Sequence, residues 1–391
     1  MTRPLRIAVD AHNLVADWRG IGRYLRAILA RFVKRDDVAL TLLVNDRFPV
    51  LARRRLEAAA GGHVSSVARR LPLDADVMWS PWNGTFFASG DVPAVVTMHD
   101  AVPFVSPASD PRRRESVQQP FRRSAEIATL VIANSAFTAR EIERELHVAP
   151  ERTRVTLLGV EPIFSPANEL VVIRDETDEN VAASEQTTTR ARCNVSASNR
   201  LMGASVAGAG GSASAAVALG VPRDRSYILY VGALEPRKNF ATLAAAHARA
   251  FAGGDVALVC AGDRPSPAPN VIALGPQEPP ALAELYRGAL LTAVPSLYEG
   301  FGFPALESMA CGTPVLASRG SSLDEVCGDA AAFVADGASV DAWCDALCRL
   351  ADRGDERATL RSRGLTRAAT FSWDRCADET LAVLWEAAAR R

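Results

Sequence analysis

The chain has 391 residues, 48% of them hydrophobic and 23% charged, with a formal net charge of -1. That length suggests two domains or a little more, each able to bury a sizeable core, and the near-neutral balance excludes a general nucleic-acid binder. The seven cysteines show neither Cys-x-x-Cys spacing nor a neighbouring histidine set, which fits buried free thiols in a reducing compartment and excludes a disulfide framework or a zinc site.

The charge is uneven. Residues 1–165 carry 23 Lys/Arg against 18 Asp/Glu, a balance of +5, and the remainder 21 against 27, a balance of -6. The basic runs include Arg53-Arg54-Arg55, Arg69-Arg70, Arg112-Arg113-Arg114 and Arg122-Arg123. Two readings stay open for them, a solvated face and a patch that meets an anionic membrane surface. Met1-Thr2-Arg3-Pro4-Leu5 runs straight into an apolar stretch. No apolar run approaches the roughly 18 residues of a spanning helix. The expected location is cytoplasmic, peripheral on the inner face of the cytoplasmic membrane.

In chain order, strands are expected at Leu5–Asp10, Val38–Val44, Asp76–Trp79, Ala94–Met98, Leu130–Ala133 and Val155–Leu158. Helices are expected between them, one opening at Gly20-Ile21-Gly22-Arg23-Tyr24 with Leu25, Ile28, Leu29 and Phe32 on one face, and others near 51–60, 112–128 and 137–146. Residues 168–216 are rich in Ala, Ser, Thr, Gly and Asn, with little periodicity. They read as a low-complexity insertion or linker, within which Leu170-Val171-Val172-Ile173 would allow a short strand. A second block follows, with strands at Tyr227–Gly232, Val256–Gly262, Asn270–Gly275, Ala289–Val294, Val315–Ala317 and Ala331–Val334, and helices between and after them. Strands alternating with helices imply doubly wound parallel sheets. The expected division is 1–165, an N-terminal Rossmann-like domain; 166–219, the insertion; 220–372, a C-terminal Rossmann-like domain; and 373–391, a terminal helix.

The most informative run is Pro295-Ser296-Leu297-Tyr298-Glu299-Gly300-Phe301-Gly302-Phe303-Pro304-Ala305-Leu306-Glu307. It reads as strand end, glycine turn and helix start, with Pro304 suited to a first helical turn. Free amides at a helix N-terminus beside two small residues favour an anion such as phosphate. Carboxylates do not bind phosphate, so Glu299 and Glu307 are expected to hold hydroxyls. Arg237-Lys238 follows a strand's C-terminal end, where open α/β sheets bind ligands, and two cations there would neutralise a diphosphate. A basic pair at a helix start opposes the helix dipole, which itself favours a functional role. His99-Asp100 ends a strand in the first block, and structural and functional readings stay even for it. Gly20-Ile21-Gly22 is not the full dinucleotide fingerprint, and no acidic residue stands at the ribose position after the second strand, which argues against NAD. Asp74-Ala75-Asp76 has metal-binding spacing but precedes a strand, which disfavours a metal there.

These residues resemble a known family. Glu299-Gly300-Phe301-Gly302-Phe303-Pro304-Ala305-Leu306-Glu307 is similar to the E-x7-E signature of retaining family 4 glycosyltransferases of GT-B fold. The likeness extends through Ser308–Val315, Ser321–Val326, Gly232–Asn239, Gly20–Tyr24 and His99-Asp100, and the pattern most resembles bacterial mannosyltransferase-like enzymes. The resemblance implies two Rossmann-like domains with a nucleotide-sugar in the cleft between them, the C-terminal domain (220–372) holding the donor and the loops of the N-terminal domain (1–165) receiving the acceptor. Arg237 and Lys238 would bind the diphosphate, and Glu299 the donor-sugar hydroxyls. The amides of Gly300, Phe301 and Gly302 would meet sugar and phosphate, with Leu306 beside them and Glu307 on the ribose. Leu274-Gly275 would lie near the base, Gly22 and Gly232 near the donor, and His99 would support the reacting centre from the N-terminal side. The terminal helix would pack back toward the N-terminal domain. One departure is Ala233, where many members carry Arg after the glycine that ends the first strand of the second domain.

The implied reaction is retaining transfer of a hexose, first of all mannose from GDP-mannose, without metal or cofactor. The acceptor would be lipid-linked or a saccharide in bacterial surface polysaccharide synthesis (O-antigen, capsule or lipopolysaccharide). UDP-sugars and dTDP-rhamnose are the alternative donors. A GT-B epimerase and a non-catalytic binding protein are the rival classes; the first would need acid/base carboxylates that are not evident, and the intact Glu299, Glu307, Arg237, Lys238 and His99 speak against the second.

Overall fold

A computed structural model describes residues 3–17, 20–45, 49–72, 74–166, 220–221, 225–266 and 268–390. The expected insertion over 166–219, Pro166 apart, and the strand expected within Leu170–Ile173 lie outside the described residues.

Short runs of Val, Leu, Ile and Ala, buried on both faces in the central strands and part-exposed at the edges, build two wholly parallel sheets. The first joins β1 (Leu5–Asp10), β2 (Val38–Leu43), β3 (Ser66–Ala68), β4 (Val77–Ser80), β5 (Ala94–Met98), β6 (Leu130–Ala133) and β7 (Thr153–Val155) in the order β3-β2-β1-β4-β5-β6-β7. Register runs Leu5↔Val38 to Asp10↔Leu43 on one side of β1 and Ile7↔Val77 to Val9↔Trp79 on the other. Its helices are α1 (His12–Ala16), α2 (Gly20–Phe32), α3 (Pro49–Ala60), α4 (Val102–Val105), α5 (Pro111–Ile127) and α6 (Ala136–Leu146). Tyr24, Leu25, Ile28, Leu29 and Phe32 of α2 are buried, the inward stripe that the sequence spacing predicts. Asp110 caps α5 by accepting from Arg112 N and Arg113 N, and Ser135 caps α6 by accepting from Thr138 N.

The second sheet joins β8 (Ser226–Gly232), β9 (Val256–Gly262), β10 (Val271–Gly275), β11 (Leu291–Val294), β12 (Val315–Ser318) and β13 (Ala331–Val334) in the order β10-β9-β8-β11-β12-β13. Its helices are α7 (Phe240–Ala250), α8 (Pro279–Gly288), α9 (Phe303–Ala310), α10 (Ser322–Cys327), α11 (Val340–Asp352) and α12 (Gly354–Ala368), followed by α13 (Trp373–Ala388).

The last helix leaves the second sheet. It packs against α2 and β4–β6 of the first, burying Trp373, Cys376, Ala377, Leu381 and Leu384 in the same apolar cluster as Leu25, Ile28 and Val77. Arg31 pairs with Asp374 at 2.5 Å, Arg35 with Asp378 at 2.9 Å and Arg154 with Glu386 at 2.5 Å around its rim. The expected strand at Val155–Leu158 instead spans Thr153–Val155. β7 is an edge strand with one neighbour, and the buried Leu158 that follows joins the main core without pairing. The short elements β3, α1 and α4 fall below the length at which apolar periodicity is readable.

Candidate active site between the two sheets

β11 ends at Val294, and the chain returns through Pro295–Gly302 to α9. Gly302, with φ 104°, is the helix N-cap and has no side chain to occupy the first free amides. Glu299 is buried within this turn. Its Oε1 accepts from Lys238 Nζ at 2.5 Å and from Ser296 Oγ at 2.8 Å. Arg237 Nη1 lies 3.8 Å from the other carboxylate oxygen, Oε2, and donates to Tyr298 O at 3.3 Å, while its Nε donates to Glu235 at 2.8 Å. The structure thus brings Arg237, Lys238 and Glu299 together beside one helix N-terminus. The basic pair does not open a helix, however. It closes the 3-10 turn Pro236–Lys238, and left-handed Asn239 (φ 55°) separates it from α7. The dipole misfit expected from sequence is therefore absent.

Across the cleft, His99 follows β5 and is buried. Its Nε2 lies 3.0 Å from Pro81 O, so that nitrogen carries the proton and donates it to the carbonyl. Burial pushes the His99 pKa below its ordinary value, leaving a neutral ring that meets the edge of Tyr24 with centroids 5.0 Å apart. His99 N donates to Asn83 Oδ1 at 2.6 Å, and His99 O accepts from Asn134 Nδ2 at 3.0 Å. That same carbonyl explains Gly300. A Cβ on Gly300 would fall 2.0 Å from His99 O, so the neighbour that demands a glycine here is the backbone of the opposite domain.

Further contacts seam the domains together. Gly300 O accepts from Ser135 Oγ at 2.8 Å and Thr138 Oγ1 at 2.9 Å. Tyr298 OH accepts from Ala101 N at 3.0 Å. Glu325 of α10 reaches over to accept from Ala136 N at 3.0 Å and Phe137 N at 3.1 Å, the free amides at the start of α6.

Glu307 is almost fully buried in α9. Its Oε1 accepts from Arg23 Nη1 at 2.6 Å and its Oε2 from Tyr286 OH at 2.9 Å. Arg23 is also gripped by both oxygens of Glu161, with Nε to Oε1 at 2.8 Å, and lies over the ring of Phe303 at 4.7 Å. Burial pushes the Glu307 carboxyl above its ordinary pKa while Arg23 pulls it back. Burial also works against the Arg23 charge, but Glu307 and Glu161 outweigh it and hold the guanidinium protonated.

A cavity of about 270 Å³ opens beside Gly232, Ala233, Asp263, Pro276 and Gln277, at the ends of β8 and β9 and just past β10. Leu274 and Gly275 immediately precede it, and their carbonyls accept from Gln277 Nε2 at 3.2 and 3.3 Å. Phe301 packs its ring against Phe303 and Phe371, and Leu306 is fully buried. The side chains of both lie in the core, so any ligand contact from them would be made by backbone. Gly22 lies inside α2, its N–H donating to Asp17 Oδ2 at 3.3 Å. Asp74 and Asp76 stand at the opposite end of the sheet, before β4, paired with Arg6 at 2.7 and 3.1 Å. Sequence reasoning quotes Arg23 within the glycine motif without giving it a role. It passes over Tyr286, Asn83, Thr138 and the Gln277 amide, since nothing local marks them.

Two family models match the chain in sequence: Glycosyltransferase Family 4 over residues 18–163 and Glycosyl transferases group 1 over residues 225–353. The chain is 37% identical over 189 residues to the D-inositol 3-phosphate glycosyltransferase of Mycobacterium avium, covering 43% of this chain and 44% of that protein. It is 35% identical over 172 residues to O-antigen chain mannosyltransferase B of Escherichia coli, covering 40% and 45%. The match thus spans a little under half the length of either relative. Among solved structures, Anabaena HepE in complex with UDP and glucose superposes with a TM-score of 0.65 at 16% identity, covering 98% of this chain and all of that one. The fold is GT-B, and the chain carries a Glycosyltransferase Family 4 domain over residues 18–163 and a Glycosyl transferases group 1 domain over residues 225–353.

Proposed function

We propose that the protein is a retaining, metal-independent glycosyltransferase that moves a hexose from a nucleotide-sugar to a saccharide or lipid-linked acceptor in bacterial surface polysaccharide synthesis. The observation that carries this reading is the convergence of Lys238 and Arg237 on Glu299 beside the uncapped start of α9, with neutral His99 one carbonyl away across the cleft. In this reading the diphosphate of the donor takes the cations and the α9 amides. Negative charge that develops on the leaving group then meets preorganised positive charge without a metal. Glu299, released from Lys238, accepts from sugar hydroxyls. Glu307 serves the ribose, and the cavity beside Gly232 and Gln277 takes the base. The acceptor hydroxyl attacks the anomeric carbon on the face that the phosphate leaves. Its proton passes to a departing phosphate oxygen, and configuration is kept. Mannose from GDP-mannose is the first donor proposed, in keeping with the O-antigen relative. The UDP and glucose held by HepE support a UDP-sugar as the second, and dTDP-rhamnose is the third.

A thermal-shift panel of GDP-, UDP- and dTDP-sugars tests the donor, because a ligand that binds only the folded state raises its melting temperature. With the donor so identified, Lys238→Ala is expected to lower kcat/KM by about a hundredfold or more, ~3 kcal/mol of transition-state stabilisation. Near-normal transfer by the purified variant would refute the assignment. Transfer is also expected to persist in excess EDTA, and abolition by the chelator with rescue by Mg or Mn would refute metal independence.

A further inference from the structure

Each sheet reverses its strand order once. In the second sheet the reversal lies between β8 and β11, and the loops that leave those strands carry Arg237, Lys238 and Glu299. In the first sheet it lies between β1 and β4. Open α/β sheets bind ligands at such a reversal, outside the carboxyl ends of the strands, so the crevice beyond β1 and β4 is the matching site of the N-terminal domain.

Aromatic rings line that crevice. Trp82 and Phe86 lie 4.8 Å apart between ring centroids, and His12 lies 4.3 Å from Phe86. One carboxylate organises all three. Asp10, the last residue of β1 and fully buried, accepts from His12 N at 3.1 Å, from Trp82 Nε1 at 3.0 Å and from Phe86 N at 3.2 Å. Burying a carboxylate is costly unless it is hydrogen-bonded, and here its bonds fix the loop that presents the rings. Gly84 completes the loop, since a Cβ there would fall 2.5 Å from the Trp82 ring. The rings are nonetheless open, with Phe86 51% exposed. They also adjoin the reacting centre. Trp82 stands between Pro81, whose carbonyl takes His99 Nε2, and Asn83, whose amide oxygen takes His99 N.

Aromatic faces carry partial negative charge and pack against partially positive C–H groups. A pyranose presents such C–H groups on one face and keeps its hydroxyls at the edge, so it can cover the rings without losing its polar contacts. We propose that Trp82, Phe86 and His12 form the acceptor subsite, a stacking platform for one face of a pyranose ring that sets its hydroxyl beside His99. This rests on the glycosyltransferase reading above and commits it to a saccharide acceptor.

Saturation-transfer NMR on the full chain tests the platform, with methyl α-D-mannopyranoside, methyl α-D-glucopyranoside and methyl α-L-rhamnopyranoside as probes in the presence of GDP, UDP or dTDP. The wild-type protein is expected to saturate the C–H protons of one ring face of at least one probe. Phe86→Ala and Trp82→Ala should each reduce that signal about fivefold or more, the scale of one lost stacking contact, and Trp82→Phe should restore most of it. The nucleotide-induced rise in melting temperature, equal in variant and wild type, serves as the folding control. No saturated probe with wild type, or a signal in Phe86→Ala equal to wild type, overturns the platform while leaving nucleotide binding and the donor reading intact. A wild-type chain stabilised by no nucleotide overturns the donor reading, and the acceptor assignment with it.

Discussion

Both oxygens of Glu307 already have partners, Arg23 on one and Tyr286 on the other. A ribose hydroxyl can reach this carboxylate only by replacing one of them, so the proposed ribose contact is an exchange of partners. The pair also holds the two domains to each other, and removing one member of a buried ion pair strands the other. Arg23→Met is therefore expected to destabilise the protein by about 3 kcal/mol in denaturant melts. The pH dependence has a definite sign. Without Arg23 the Glu307 carboxyl rises further above its unfolded value, so the folded chain holds a proton that the unfolded chain has lost, and stability falls as pH rises. The loss relative to wild type should be smaller near about pH 5 than near about pH 8. A second substitution, Glu307→Gln, should recover part of it. An Arg23→Met deficit that is flat with pH would show that Glu307 is not the stranded partner. Sequence places Arg23 in the first turn of a helix that opens on glycines, but its partner lies 284 positions away, and no local pattern carries that information.

The elements were legible in proportion to how local their causes are. The run Pro295–Glu307 carries its own strand end, turn and N-terminus within one short segment, and the structure folds it as a strand end, a glycine turn and α9. Within that run the group that demands a glycine at 300 is His99 O from the other domain, which only the docked pair of sheets supplies. The same holds for α6. Its cap, Ser135, comes from the adjoining residue, whereas the carboxylate on its next amides comes from Glu325 in α10. An anion there satisfies free N–H groups and complements the helix dipole. Glu325→Ala is expected to weaken the contact between the domains by about 1–2 kcal/mol, in the range of a lost helix cap. Small-angle scattering should then report a larger radius of gyration without a matching loss of secondary structure. An unchanged scattering curve would remove Glu325 from the seam.

At the scale of the whole molecule, α5 presents Arg112, Arg113, Arg114 and Arg123 as exposed side chains, with Arg122 exposed but paired to Glu115 at 3.0 Å. Among the described residues no helix is long and apolar enough to cross a membrane. A proposed peripheral contact with an anionic surface would draw on these arginines, each contributing about 1 kcal/mol near the surface. The protein is expected to sediment with phosphatidylglycerol vesicles at low ionic strength and to be released at high salt, and replacement of Arg112–Arg114 by glutamine should abolish the effect. Equal sedimentation of that variant would leave the basic face as a solvated one. The course of the backbone has a mechanical consequence as well. The chain returns from the second sheet to the first just before Trp373, where α13 begins. Arg23, Glu161, Phe303 and Trp373 cluster where that helix begins, whereas the seam at α6 joins Gly300, Ser135, Thr138 and Glu325 by hydrogen bonds and sets Phe137 edge-on against Tyr298. Because α13 follows the second sheet in sequence yet packs on α2 and β4–β6 of the first, the last helix works as a strap, and the two sheets cannot separate fully while it stays seated.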